Sequence, residues 1–450
     1  MNRWRAAVFL ALGLGFASGA RAQPAGGAEP VPVTVKQALQ YALRTQLDIQ
    51  TEDRQIARAQ AQVGEARAGY FAPSVDLVSF TQRNQSYDTF AGARVEGTFA
   101  GQPVNVDVVR TLPKYDTGVG LEASLNLYSG GASKARLKEA QANEAGARAQ
   151  AGVTRDQIVQ EVTRTYWQLR KAQADHARRK AALELAEDEA GVAEVQFKRA
   201  QISEFERDTR RLRVDEMQAR VAEAEYQRGL SWQEYRTALG APAGLDLDVV
   251  LLDDPDTVEL ASLLGDSDRS QPALQRAQAQ NEAAQWRQER ARSEFQPSVS
   301  LYMRYNGIGR DETRLVDSVG DLHRQDWSVG LRLRWNLFNG SQSTERVKQA
   351  QQDNAIAALQ VEKVRRQLSD ELQEKKRKVE LLENKLALAR KRLDLSESQL
   401  RISARRRDLD QITNLQFKAE ELALAEARDN VLFAKVDAFV ARLTLKLAER

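Results

Sequence analysis

Two periods organise the polar and apolar positions of this chain. Leu372, Val379, Leu386, Leu393 and Leu400 recur every seven residues, with Leu368, Leu382 and Ala389 as a companion row. A seven-residue repeat sustained this long predicts a coiled-coil seam on a long helix. Ile158, Val162, Tyr166 and Leu169 give a softer version of it, after an alanine-dense run from Ala135 to Ala151. Alanine seams let helices approach closely, which suits a wall of packed helices.

Four short segments alternate with a period of two. Trp327, Val329, Leu331, Leu333, Trp335 and Leu337 are separated by Ser328, Gly330, Arg332, Arg334 and Asn336. Val299, Leu301, Met303 and Tyr305 alternate with polar neighbours, as do Val119, Leu121, Ala123, Leu125 and Leu127; Val75 to Thr81 is a weaker fourth. Strands of about ten residues, apolar on one face and polar on the other, with aromatics at their ends, are what an outer-membrane barrel requires. An ordinary half-buried antiparallel sheet alternates in the same way. Such a sheet needs a second apolar layer to cover it, and the sequence offers none of sufficient size.

The pattern is duplicated. Phe71-Ala-Pro73-Ser74-Val75-Asp-Leu77 recurs as Phe295-Gln-Pro297-Ser298-Val299-Ser-Leu301, an offset of 224 between Pro73 and Pro297. Asn126-Leu127-Tyr128-Ser-Gly130 recurs as Asn336-Leu337-Phe338-Asn-Gly340, an offset of 210 between Asn126 and Asn336. The shortfall lies between the paired strands: the first loop, about Asn84 to Lys114, is longer than the second, about Asn306 to Gln325. The expected organisation is a first repeat over 23–241 with strands about 73–83 and 117–128. A linker follows over 242–270, with Pro242 and an Asp-rich segment as hinge. A second repeat covers 271–450, with strands about 297–306 and 326–338. At 1.5 Å per residue, Gly131 to Gln201 spans ~106 Å, Glu204 to Leu239 ~54 Å and Leu47 to Tyr70 ~36 Å. Two short helices stacked end to end therefore nearly match one long one, as a hollow cylinder of uniform wall needs.

The N-terminus sets the compartment. Arg3 and Arg5 precede an apolar run from Ala6 to Phe16, and Ala20-Arg21-Ala22 is a small-x-small cleavage pattern. Residues 1–22 read as a signal peptide. Cysteine is absent, which excludes lipid attachment through a mature N-terminal Cys, disulfides, thiolate metal sites and cysteine nucleophiles. After the leader no stretch is apolar enough for a transmembrane helix, so a membrane span must be built from strands. The chain carries 66 basic and 63 acidic residues, interspersed along the helices, so these are solvated faces and no nucleic-acid partner is indicated. The Ala, Gln, Glu, Arg and Leu bias predicts long helices with little three-dimensional core.

Taken together, Ala38-Leu39 and Ala42-Leu43, Tyr70…Pro73-Ser74-Val75, Leu127-Tyr128-Ser-Gly130-Gly131, Trp335-Asn336-Leu337-Phe338-Asn339-Gly340 and Leu239-Gly240, in duplicated order, make the sequence resemble the TolC family of outer-membrane efflux proteins over essentially the whole mature chain. The resemblance implies a mainly α fold with a β-barrel portion. Four strands from each protomer of a homotrimer would close a twelve-stranded barrel, continued by an α-helical periplasmic tunnel. It implies a passive exit duct in the outer membrane, in contact with lipid. The duct would dock on a periplasmic adaptor (membrane fusion) protein and be energised by an inner-membrane transporter, in efflux or type I secretion.

On that resemblance, acids near the tips narrow the tunnel entrance, and Asp408, Asp410, Glu204 and Glu206 are the candidates. Ser203, Arg405, Arg406 and Arg407 are the candidate adaptor contacts. Glu122, Arg304, Arg332 and Arg334 would face the barrel lumen. The tips depart from the family, which usually turns around a Gly: Ala200 stands there in the first repeat, and the second has no Gly.

No catalytic chemistry is legible. There is no phosphate-binding glycine loop of the Walker type, so the chain does not power transport itself. His176, on a charged helix, and His323, in an expected extracellular loop, read as solvated rather than as metal ligands. Glu187 and Asp188 are sequence neighbours pointing apart, not a catalytic dyad. No cofactor is expected. The alternative of a different class is a periplasmic coiled-coil scaffold whose small sheet merely caps it.

Overall fold

The structure, a computed structural model, describes residues 34–83, 90–110, 115–242, 251, 253–260, 263, 271–311, 314–320, 322 and 324–450. The leader 1–22, His323 and the linker residues 243–250, 252, 261–262 and 264–270 lie outside the described residues. Helices dominate: α1 (Val35–Thr45), α2 (Leu47–Phe71), α3 (Ala132–Lys198), α4 (Glu204–Leu239), α5 (Pro272–Arg292), α6 (Leu315–Gly320), α7 (Gln342–Asp408) and α8 (Asn414–Glu449). The strands are β1 (Ser74–Arg83), β2 (Phe90–Phe99), β3 (Gln102–Arg110), β4 (Tyr115–Tyr128), β5 (Ser298–Asp311) and β6 (Arg324–Arg334).

The duplication is metrically strict from the strand-to-helix junction onwards. α3 and α7 each have 67 residues, and α4 and α8 each have 36. Each long helix runs ~100 Å, and both pairs sit at an offset of 210. Before the junction, α2 ends at Phe71, and α5 with its following 3₁₀ turn ends at Phe295, the offset of 224.

Short helices stack end to end as the lengths require, and glutamine makes the joint. Gln46, the N-cap of α2, donates from Nε2 to the carbonyls of Thr237 (3.2 Å) and Ala238 (2.7 Å), while Thr45 Oγ1 donates to Leu239 O (2.7 Å). These are the last carbonyls of α4, which would otherwise lack partners. Gly240 ends α4 in the left-handed region, with its Cα so close to Gln46 that an added Cβ would lie 3.1 Å from the Gln46 backbone. The second repeat repeats the joint: the backbone N–H of Gln271, N-cap of α5, donates to the carbonyl of Arg450, just beyond α8.

Four helices thus lie side by side at every level. Nearer the strands the order is α2, α3, α5, α7; towards the far turns it is α4, α3, α8, α7. The predicted seam residues of α7 are those packed inwards. Leu386 is buried with Val431 and Ala438 of α8, and Leu382, Ala389 and Leu393 line the same contact.

One expectation fails. The chain does have a three-dimensional core, a girdle where α1, mid-α3, the end of α4, the linker and α8 meet. Val35, Leu39, Val162, Tyr166, Trp167, Leu169, Trp232, Tyr235, Leu251, Phe439 and Leu443 are buried there. The rings interlock edge to face, Tyr166 with Trp167 at 5.1 Å and Trp167 with Phe439 at 5.6 Å between centroids. The described linker residues 253–260 are tied to the girdle. Asp253 accepts from the N–H of Val35 (2.6 Å), capping α1, and Asp256 pairs with Lys435 of α8 (2.7 Å). Burial and the nearby Asp253 carboxylate push the Tyr166 phenol far above its ordinary pKa.

His176 also departs from expectation. It is buried on α3 rather than solvated, and burial together with Arg228 and Lys180 lowers its pKa.

Candidate functional site

The four long strands form one antiparallel sheet in the order β1-β4-β5-β6. One register aligns Leu77, Leu121, Tyr305 and Trp327 across it, so the apolar positions of all four strands share a face. That face is bare: Leu77 is 72% exposed and Leu331 and Leu333 are each 66% exposed. No helix of the protomer covers these residues, as an ordinary half-buried sheet would demand. β6 ends at Arg334, before the predicted Leu337, and Trp335 instead donates from its ring N–H to the carbonyl of Phe295 (3.0 Å). β5 runs on to Asp311, beyond its predicted end.

The opposite face is polar and carries all four predicted lumenal residues. Arg304 Nε meets Glu122 Oε1 at 2.6 Å, and Arg332 lies over the Tyr302 ring, 4.9 Å from its centroid. Arg334 pairs in register with Ser298. Sequence reasoning missed Asp76, in register with Glu122, and the Asp116–Arg310 pair (3.2 Å); the alternation of their strands already marked these positions. Glycines on this face admit aromatic neighbours: the Phe80 ring fills the space beside Gly118, and the Tyr302 ring that beside Gly330.

The first loop, expected to be the longer of the two, contains the β2–β3 hairpin, turned by Ala100 and Gly101, both at positive φ. Asn or Asp, the usual signal for such a turn, is absent.

At the far ends of the helices the two turns are built alike. Ala200 (φ 55°) and Asp410 (φ 54°) both occupy the left-handed region. Gln201 N–H donates to Gln196 O and Gln411 N–H to Arg406 O, closing matching Schellman motifs. These are the positions where Gly is expected. Ser203 then caps α4, with Glu206 reaching back to its N–H (3.0 Å); Thr413 and Gln416 do the same for α8. Glu206 and Ser203 are therefore tied to each other. Glu204 pairs with Arg207 (2.8 Å), and Asp408 with Arg407 (3.4 Å).

Each tip also carries one cation–π contact, with its partners exchanged between repeats. Arg207 of α4 covers Phe197 of α3 (4.3 Å), whereas Arg407 of α7 covers Phe417 of α8 (4.1 Å). Arg405 and Arg406 complete the basic last turn of α7.

The outer members of the wall are unsatisfied. On α7 and its C-cap, Leu381, Leu388, Leu395, Ile402 and Leu409 form a second heptad row, all exposed. On α4, Phe205, Leu212, Ala219 and Tyr226 form another, also exposed. The sheet has matching open edges: among the described residues β1 pairs only with β4, and β6 only with β5.

The family model for outer membrane efflux proteins matches residues 38–241 and 263–448. The chain belongs to the outer membrane efflux protein family. Its fold is that of solved TolC-type channels. VceC of Vibrio cholerae superposes with a TM-score of 0.68 at 16% identity, covering 92% of this chain and 95% of that one. The outer membrane channel CmeC of Campylobacter jejuni gives 0.71 at 16% identity, covering 92% and 85%. The open state of the MtrE outer membrane channel of Neisseria gonorrhoeae gives 0.67 at 16%, covering 92% and 88%. No curated protein matches in sequence. The efflux protein thus sits in the outer membrane, with its helical part as a large periplasmic portion. The apolar strand face, covered among the described residues only by the short α6 at one end, removes the support for a scaffold whose sheet merely caps a coiled coil.

Proposed function

We propose that three copies of the chain close into a twelve-stranded barrel continued by a twelve-helix tunnel. The assembly is a passive exit duct, not an enzyme, and an inner-membrane transporter energises it through a periplasmic adaptor. The observation that carries this is the agreement of two kinds of open edge. β1 and β6 are exposed at opposite sides of one sheet, and they run antiparallel, so β6 of one copy can continue the ladder with β1 of the next. On the same two sides, α7 and α4 carry unpartnered heptad rows. Counted from the tips, Leu409 faces Phe205, Ile402 faces Leu212, Leu395 faces Ala219 and Leu388 faces Tyr226 of the next copy. Two copies would give eight strands, whose interior side chains fill; twelve leave a passage.

Glu122, Arg304, Arg332 and Arg334 then line the barrel lumen. Asp408 and Asp410 are the better candidates for a constricting ring at the entrance, since Glu206 is tied to its cap and Glu204 holds Arg207 at 2.8 Å, whereas Asp408 meets Arg407 only at 3.4 Å. Arg405, Arg406 and Arg407 of the second-repeat turn and Ser203 of the first form the adaptor-facing tips.

Single cysteines in this cysteine-free chain test the duct. Cysteines at Leu331 or Leu333 are expected to react with bilayer-soluble reagents, and ones at Arg332 or Arg334 with water-soluble ones. Equal reactivity of both sets would remove the barrel reading.

A further inference from the structure

The β5–β6 connection was expected to be a plain extracellular loop, but it folds back onto the barrel. α6 packs on β4 and β5. Ser318 is fully buried, its Oγ 2.9 Å from Oγ1 of Thr117, itself buried. Thr117 shares the face of Val119 and Leu121, two and four residues on, and Gly309 pairs with it in register. Gly307 lies on the same face, two residues before Gly309. The helix therefore covers the bare apolar face, not the polar one.

The strands are shaped to receive it. Outward positions that are Leu121 and Leu125 lower on β4 shrink to Thr117, and those of β5 shrink from Leu301, Met303 and Tyr305 to Gly307 and Gly309. A Cβ on Gly307 would already touch the carbonyl of Leu322 at 3.8 Å, so a longer side chain would lift the connection off the sheet. The outer side of the helix replaces what the strands lack. Leu315, Val316 and Val319 are all exposed, Val316 at 77%.

We infer that α6 is an interfacial anchor whose Leu315, Val316 and Val319 insert at the headgroup–acyl boundary of the outer leaflet. Lipid is the occupant because the three side chains continue the outward face of Leu301, Met303 and Leu331 without a break. The level also fits. Thr117 lies four residues beyond Leu121, or ~13 Å along the strand and less along the membrane normal once the strand tilts. Leu121 is in register with Tyr305 and Trp327, aromatic residues of the kind that mark the edge of an apolar band. α6 sits just above that edge, where Asp317 and Arg314 can reach headgroups while the apolar side chains stay covered.

This rests on the outward assignment of that face, and the test separates the two. Val316→Cys, Leu331→Cys and Arg332→Cys are each labelled with a fluorophore and reconstituted into phosphatidylcholine vesicles brominated either near the ester or deep in the acyl chain. Quenching is expected at 331 by both lipids, at 316 chiefly by the shallow one, and at 332 by neither. Adding Gly309→Leu should abolish quenching at 316 and leave it unchanged at 331. A label at 316 as unquenched as that at 332, with 331 still quenched, overturns the anchor and leaves the barrel standing. An unquenched label at 331 overturns both.

Discussion

α3 and α7 have the same length, the same place in their repeats and the same neighbours in sequence, yet opposite surfaces. α3 buries seventeen residues, among them Val162, Tyr166, Trp167 and Leu169. α7 buries three, Ser343, Leu386 and Ser403. α3 is flanked on both sides, by α2 and α4 on one and α5 and α8 on the other, whereas α7 has neighbours on one side only. Equal length with unequal burial means that α7 keeps a face in reserve. The apolar row from Leu381 to Leu409 lies on that face, and α4 presents the complementary row at the other end of the wall. In the proposed trimer the buried faces stabilise the protomer, and the exposed rows of α7 and α4 would stabilise the assembly.

Mutations on the two helices should therefore fail differently. Trp167→Ala empties the centre of the girdle and should cost about 3–5 kcal/mol of protomer stability, lowering folded yield and the thermal midpoint. The double change Leu388→Glu with Leu395→Glu should leave helix content and protomer yield near wild type. The trimer should be lost, because each carboxylate would be trapped unpaired in the seam. Loss of folded protein in the α7 variant, or assembled trimer from it, would erase the distinction between the helices.

The tips sharpen it on a smaller scale. Ala200→Gly relieves a left-handed residue with a Cβ and should stabilise by ~1 kcal/mol. Asp410→Gly should gain less, because Asp tolerates that region better. Equal gains in thermal midpoint would mean that the second tip is not favoured by its Asp. The smallest effect on stability belongs to Asp408→Asn with Asp410→Asn. It should leave trimer yield intact and weaken cation selectivity and cation block of single-channel current, since the proposed three-fold symmetry would concentrate these carboxylates in one opening. Unchanged conductance and selectivity would move the constriction elsewhere.

What was legible in the sequence was whatever is periodic. The Leu372–Leu400 seam, the alternation around Leu331 and the polar face of Glu122, Arg304, Arg332 and Arg334 all follow from spacing alone. The exposed row Leu381–Leu409 obeys the same period and could have been read beside the first. Of the girdle only the α3 row Ile158, Val162, Tyr166 and Leu169 was legible, because the rest, from Val35 to Leu447, comes in short pieces from four other segments, none long enough to show a period. The Gln46 and Gln271 joints were hidden for a related reason: each links chain segments far apart in sequence through one or two residues. His176 looked solvated because its sequence neighbours are charged; its burial comes from packing that its own helix does not reveal. α6 escaped notice because six residues are too few to display a pattern.

Disulfide cross-linking across the proposed seam tests the central claim most directly. In the cysteine-free chain, Ile402→Cys and Leu212→Cys lie about one heptad from the tip on the two edge helices, too far apart to meet within one protomer if those edges face opposite ways. After oxidation in the outer membrane and denaturing electrophoresis, the double variant should migrate as a covalent species of three chains that collapses to monomer on reduction, while each single variant stays monomeric. A double variant that remains monomeric, or one that forms a ladder extending past three chains, would contradict a closed trimer joined through α7 and α4.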